Sequence, residues 1–115
     1  MSAEPPRPPA AALDEAFHNT TRLAIAVFLS ACSEAEFAMV RDHCRVSDAA
    51  LSKAASTLEA AAYAETRQGY VDKRPRTWLS LTPTGQLALT QHVTALQNIV
   101  AAARAASLNN GGRLS

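Results

Sequence analysis

Apolar side chains fall into stretches of different rhythm along this chain, and the polar gaps between them set the order of elements. After a start without periodicity (residues 1–12, MSAEPPRPPAAA), the pattern turns helical from Leu13, and RLAIAVFLSAC puts apolar residues on nearly every face of a helix. Asn19, Thr20 and Thr21 stand just before that run as candidate N-caps. A central strand would suit the same residues, but length and cap favour a helix buried on more than one side. Its second face then has to be covered by the C-terminal helix or by a partner subunit. A polar break at 33–35, with room for a one- or two-residue β-bridge, leads to a second helix in which Phe37, Val40 and Cys44 recur at spacings of three and four. The third segment is the most regular. Behind Ser47 or Asp48 as cap, Leu51, Ala54, Ala55, Leu58, Ala61 and Ala62 form one stripe, and Ala49, Ser52, Lys53 and Ser56 face the other way. The short connection at 45–47 makes the second and third helices a helix-turn-helix candidate.

Residues 64–68 and 77–81 alternate as two strands around a turn at 69–76. Thr82 then caps a helix with Pro83 at its first position. Within it Leu89, Val93, Leu96, Val100 and Ala103 repeat at spacings of four and three, the seam of a coiled coil. About 25 residues rising 1.5 Å each would extend about 38 Å, more than one small core can cover, so a dimerisation helix is expected. The competing arrangement folds the helix back on its own domain. The predicted organisation is therefore a disordered or extended proline-rich arm (1–12), a mainly helical α+β domain (13–86), a C-terminal dimerisation helix (87–108) and a frayed tail (109–115).

Composition narrows the classes. The 115 residues fit one domain of ordinary size. Hydrophobic residues make up 48% but aromatics only 5%, with alanine filling most of the difference, as in a close-packed helical core. No apolar run approaches the roughly 18 residues of a membrane helix, and the N-terminus lacks the regions of a signal peptide, so a cytoplasmic protein is expected. Cys32 and Cys44 form no CxxC pair and His18, His43 and His92 are scattered; reduced thiols, no metal and no cofactor are the expectation. There is no Gly-rich phosphate loop, no nucleophile in a recognisable context and no pair of carboxylates on a plausible cleft, so no enzyme is indicated.

A net charge of +1 conceals an uneven distribution: residues 1–63 carry −3, residues 64–86 carry +2 and the remainder +2. Lys73, Arg74 and Arg76, with Pro75 among them, form a compact basic point suited to phosphate, although a solvated turn explains the same charges. On the third helix, Lys53 suits guanine or phosphate and Ser52 either, with Ser56 beside them. Ser47 can cap the helix and also bond a phosphate. Thr77 can donate to phosphate from the strand or fill a cross-strand position. Trp78, Tyr63 and Tyr70 read as structural, with Trp78 anchoring the hairpin to the helices. Arg22, at the start of an apolar helix, is expected to pair with a carboxylate.

Three segments, LDEAFHNTTRLAIAVFL, EFAMVRDHCRVSDAALSKAASTLEAAAY and RPRTWLSLTPTGQLAL, carry a family resemblance. With the Arg-Leu pair entering the first helix, Leu-Ser-Lys in the third and Leu-Thr-Pro-x-Gly closing the second strand, the chain resembles winged-helix transcriptional regulators of the MarR/ArsR-like type, specifically the short stand-alone subgroup. The resemblance covers about residues 13–96. It implies a winged helix-turn-helix homodimer that binds double-stranded DNA as a regulator, most readily a repressor. Helix 47–62 would enter the major groove and wing 69–77 would touch the minor groove or backbone. It also implies room for a small-molecule effector between the DNA-binding lobe and the dimerisation helices. Two departures stand out. The family's larger polar and basic residues after Leu-Ser-Lys are Ala54, Ala55, Ser56 and Thr57 here, and the glycine before the aromatic that ends this helix is Ala62. The recognition helix is thus poor in cations, which shifts the expected grip to the wing. The alternative is a winged-helix protein-interaction module with weak or no DNA binding.

Overall fold

Side-chain oxygens start three of the four helices in the computed structural model, which describes residues 13–109. The order is a 3-10 turn (Glu15–Phe17), α1 (Thr20–Ser30), β1 (Ala35–Glu36), α2 (Phe37–Cys44), α3 (Asp48–Ala60), β2 (Ala64–Val71), β3 (Arg74–Leu81) and α4 (Pro83–Asn109). Asn19 Oδ1 accepts the Arg22 amide at 3.0 Å, Ser47 Oγ that of Ala50 at 3.0 Å, and Thr82 Oγ1 that of Gly85 at 2.9 Å. Each satisfies an amide that the first helical turn leaves without a partner. The break at 33–35 does end in a short strand, and α2 follows it without a side-chain cap. From Leu13 the chain makes only a 3-10 turn before α1, capped by Asp14. The arm expected at 1–12 and residues 110–115 of the expected tail lie outside the described residues, while Asn109 is still helical.

The core gathers Ile25, Ala26 and Leu29 of α1, Val40 of α2, Leu51, Ala54, Ala55 and Leu58 of α3, Leu79 of β3, and Phe17. Ile25, Val40, Leu51 and Leu58 are entirely buried; burying a side chain of this size stabilises by about 1.5–3 kcal/mol. The α3 stripe stops at Leu58. Ala61 and Ala62, expected on it, are exposed, because the helix ends at Ala60 and the chain turns at Ala62 with φ 64°.

β3 lies between β1 and β2 in an antiparallel sheet. The hairpin pairs without interruption from Ala64↔Leu81 to Val71↔Arg74, so both strands run further than 64–68 and 77–81, and the turn is Asp72 and Lys73 alone. Pro75 is therefore a strand residue opposite Tyr70 rather than a stiffener of the turn. Arg22 also departs from expectation. Its Nε donates to the Ala16 carbonyl at 2.7 Å and its Nη2 to that of Glu15 at 3.3 Å, so it serves the carbonyls of the 3-10 turn instead of a carboxylate. Helix, helix, helix, hairpin and long C-terminal helix together make a mainly helical winged helix-turn-helix fold, in line with the sequence.

Residues 14–89 form one compact unit, and the described part of α4 from residue 90 belongs to a second. α4 has 27 residues, about 40 Å at 1.5 Å per residue.

Candidate nucleic-acid interface

The link between α2 and α3 is tight because Arg45 adopts the left-handed conformation, φ 55°, at the end of α2. The Val46 amide donates back to Arg41 O at 3.2 Å, and Ser47 follows immediately as the cap of α3. Arg41 spans the same corner, with Nη1 on Asp48 Oδ1 and Nε on Asp42 Oδ1, both at 2.9 Å. These bonds, that to Asp48 foremost, hold the guanidinium in its charged form and raise its pKa. Asp48 thus enters the first turn of α3, where a carboxylate suits the helix dipole, with Arg41 bonded to it.

Beyond the cap, Ser52, Lys53 and Ser56 are all exposed on α3, opposite buried Leu51, Ala54, Ala55 and Leu58. Positions 52 and 56, and 53 and 56, are neighbours at i,i+4 and i,i+3, so the structure brings these three onto one free face. Ser47 is exposed at the head of the helix, its oxygen engaged by Ala50.

At the tip of the hairpin, Asp72 and Lys73 have φ 51° and 65°, the positive pair that a two-residue type I′ turn requires. Lys73 occupies the second of these positions, where glycine is easiest, and presents its ammonium at the apex. Side chains alternate along paired strands, so the register puts Arg67, Trp78, Arg76 and Arg74 on one sheet face and Thr66, Leu79 and Thr77 on the other. The fold therefore separates Thr77 from the arginines: it is half-buried opposite Gln68. Arg76 Nε is 3.3 Å from Glu36 Oε1. Arg67 lies 4.2 Å over the Trp78 ring and forks onto Glu34 at 2.6 and 3.1 Å. That fork lowers the Glu34 pKa and raises that of Arg67. Among the described residues, Arg45, Lys53, Lys73 and Arg74 form no ion pair.

Sequence reasoning missed four residues of this arrangement: Arg45, Arg67, Glu34 and Glu36. The near alternation of Glu34 and Glu36 around a two-residue strand was the only local signal, and its meaning depends on β1 pairing with a strand more than 30 positions away.

The far end of α3 is joined to the start of α4. The Tyr63 amide donates to Leu58 O and that of Ala62 to Glu59 O, each at 2.9 Å, the paired bonds of a Schellman cap with Ala62 in the usual place of glycine. Thr82 closes on this cap, its amide donating to Tyr63 O at 2.9 Å and its hydroxyl to Ala62 O at 2.7 Å. Gly85 packs so near that a Cβ there would lie 2.2 Å from Tyr63 O. The Tyr63 ring stacks on Phe17, centroids 5.6 Å apart, and its hydroxyl donates to Asp14 Oδ2, which raises the phenol pKa.

Along α4, Leu89 is buried and Val93 half-buried, whereas Leu96, Val100 and Ala103 are exposed, as are Ile99 and Leu108. The apolar side chains of α4 are thus exposed from Leu96 onward, just after buried Ala95. Burial raises the Cys44 pKa, which disfavours a reactive thiolate, and His43 stacks on Phe28 at 4.2 Å. Among the described residues no group of three or more His, Cys, Asp or Glu could hold a metal ion, and no helix is long and apolar enough to cross a membrane.

A family model described as Winged helix DNA-binding domain matches residues 21–100. No curated protein sequence matches the chain. Among solved structures, a transcriptional regulator homologue from Pyrococcus horikoshii OT3 superposes with a TM-score of 0.73 at 22% identity, covering 77% of this chain and 88% of that one. Bordetella bronchiseptica BpsR, whose DNA binding is regulated by 6-hydroxynicotinic acid, gives 0.63 at 14% identity over 80% of this chain and 69% of that one. Lactococcus lactis ZitR, a zinc-responsive MarR family member, gives 0.55 at 20% identity over 79% and 62%.

Proposed function

The chain belongs to the winged helix DNA-binding domain family, and from that premise we propose that it is a dimeric, sequence-specific DNA-binding transcriptional regulator acting as a repressor. α3 enters the major groove with Ser47, Ser52, Lys53 and Ser56, and the wing meets the minor groove or backbone through the cations at its apex, Lys73 and Arg74. The observation that carries this reading is the two-sidedness of α3. Its core face is fully engaged, while Ser52, Lys53 and Ser56 are exposed behind a cap that fixes where the helix begins. The exposed α4 residues Leu96, Val100 and Ala103, continuing from Leu89 and Val93, support a homodimer through this helix, which would set two half-sites in symmetric relation. A cytoplasmic location follows from the DNA partner. The regulation of BpsR by 6-hydroxynicotinic acid supports a small-molecule effector for this chain as well.

Titration against the promoter region of its own gene tests the reading. Saturable nanomolar retardation that weakens steeply with salt is expected; no retardation even at low salt would exclude it. Lys53→Ala should change preference at particular bases, whereas changes at the wing should weaken all sequences alike. One observation favours a second reading, a winged-helix protein-interaction module: Lys53 is the only cation on α3, and Asp48 stands near its head. That module would bind no duplex tightly at any salt concentration.

A further inference from the structure

Resting on the DNA-binding reading, we infer that Glu34 and Glu36 decide which cations of the hairpin meet DNA: they hold Arg67 and Arg76 on the sheet and leave Lys73 and Arg74 as the phosphate contacts of the wing. All three hairpin arginines share one sheet face, since Arg67 pairs with Trp78, Arg76 with Gly69 and Arg74 with Val71. Face alone therefore does not distinguish them; their partners do.

Arg67 is fixed twice. Its guanidinium forks onto both Glu34 oxygens, at 2.6 and 3.1 Å, and lies 4.2 Å over the Trp78 ring. Gly69 makes room for that stack: a Cβ there would come 3.0 Å from Trp78 Cζ3 and 3.3 Å from Arg67 Nη1. Arg76 is fixed once, by Glu36, which pairs in register with Trp78 and so stands beside Arg76 on the same face. A phosphate that recruits either arginine has to displace a carboxylate already delivered by the strand pairing. Lys73 and Arg74, past the last residue that β1 can reach, are exposed and form no ion pair among the described residues. Glu34, just before β1, and Glu36 within it thus confine the electrostatic grip to the apex. Arg76 is the decisive residue to test, because a single exposed ion pair is weak.

The experiment measures affinity for a fluorescein-labelled mixed-sequence duplex as a function of salt, since the phosphate contribution does not depend on sequence. Arg74→Ala should lower the log–log salt slope by about 0.9 per protomer engaged, and Arg76→Ala should leave it unchanged. Glu36→Gln should steepen the slope by about 0.9 per protomer engaged, so that for each one affinity falls about 3.5-fold more than for the parent chain between about 50 and 200 mM salt. The double variant Glu36→Gln/Arg76→Ala should return to the parental slope, which separates a freed arginine from the mere loss of a negative charge. Thermal melts establish that each variant is folded, and the Glu36→Gln arm alone decides the matter if Arg76→Ala is not. An Arg76→Ala slope that falls like that of Arg74→Ala, or a Glu36→Gln slope equal to the parent's, overturns this inference while leaving DNA binding intact. Failure of the parent chain to bind any duplex at low salt overturns the DNA-binding reading and this inference with it.

Discussion

Besides Arg45 in the link between α2 and α3, left-handed non-glycine backbone among the described residues occurs at two sites with opposite settings, the joint at Ala62 and the hairpin apex at Asp72–Lys73. At the joint, backbone groups on both sides are hydrogen-bonded to one another, and Gly85 is in contact with the turn itself. At the apex the side chains are exposed and nothing packs on the turn. A non-glycine residue with positive φ costs on the order of 1 kcal/mol in either place. Only at the apex does the side chain gain a role that glycine could not fill, because Lys73 carries a charge to the tip of the wing. The difference separates a position set by packing from one set by charge.

The largest expected effect lies at the joint. Gly85→Ala should cost about 3 kcal/mol or more, read as a shifted urea midpoint, because a Cβ 2.2 Å from Tyr63 O forces two backbone segments apart. A midpoint near that of the parent chain would mean that the joint is loose, and the contrast with the apex would fall.

Next come two glycine substitutions. Ala62→Gly should stabilise by about 1 kcal/mol and leave duplex binding as it was. Lys73→Gly should stabilise by a similar amount but flatten the salt slope by about 0.9 per protomer engaged. Stability and binding would then move together at neither site; if Lys73→Gly leaves the slope alone, the apex is only a solvated turn.

The smallest effect depends on pH. The Tyr63 phenol has a pKa raised above its ordinary value, chiefly by its hydrogen bond to Asp14. A group whose folded-state pKa exceeds its unfolded one contributes stability that is complete below the unfolded value, about 10 for tyrosine, and lost as pH rises through the folded value. Alkaline melts should therefore show a loss of stability above about pH 10 that Tyr63→Phe reduces.

The joint also shows how much was legible in the sequence. Thr82, Pro83 and the stripe from Leu51 to Leu58 signal their elements locally, through caps and helical spacing, and the structure agrees with them. The departure at Ala62 was visible as a missing glycine, yet the exit of the chain from the helix there was not, since alanine is the best of helix formers. In the hairpin, Gly69 and Pro75 read as turn residues, whereas the cross-strand register makes one the space beneath Trp78 and the other a strand residue. The ion pairs of Arg67 and Arg76 were hidden for a related reason: the residues meet only after β1 has paired with β3. The candidate contacts Lys73 and Lys53 could be named from charge alone, but which cations are engaged depends on partners distant in sequence.

The Thr82 bonds to Ala62 and Tyr63 have a consequence for motion. Amide protons at the end of α3 and at the start of α4 belong to one hydrogen-bonded seam, so neither terminus can fray without unfastening the other. In hydrogen exchange, Ala62, Tyr63, Thr82 and Gly85 should open as a single unit, and the last turn of α3 should inherit its protection from a helix that begins a whole hairpin later.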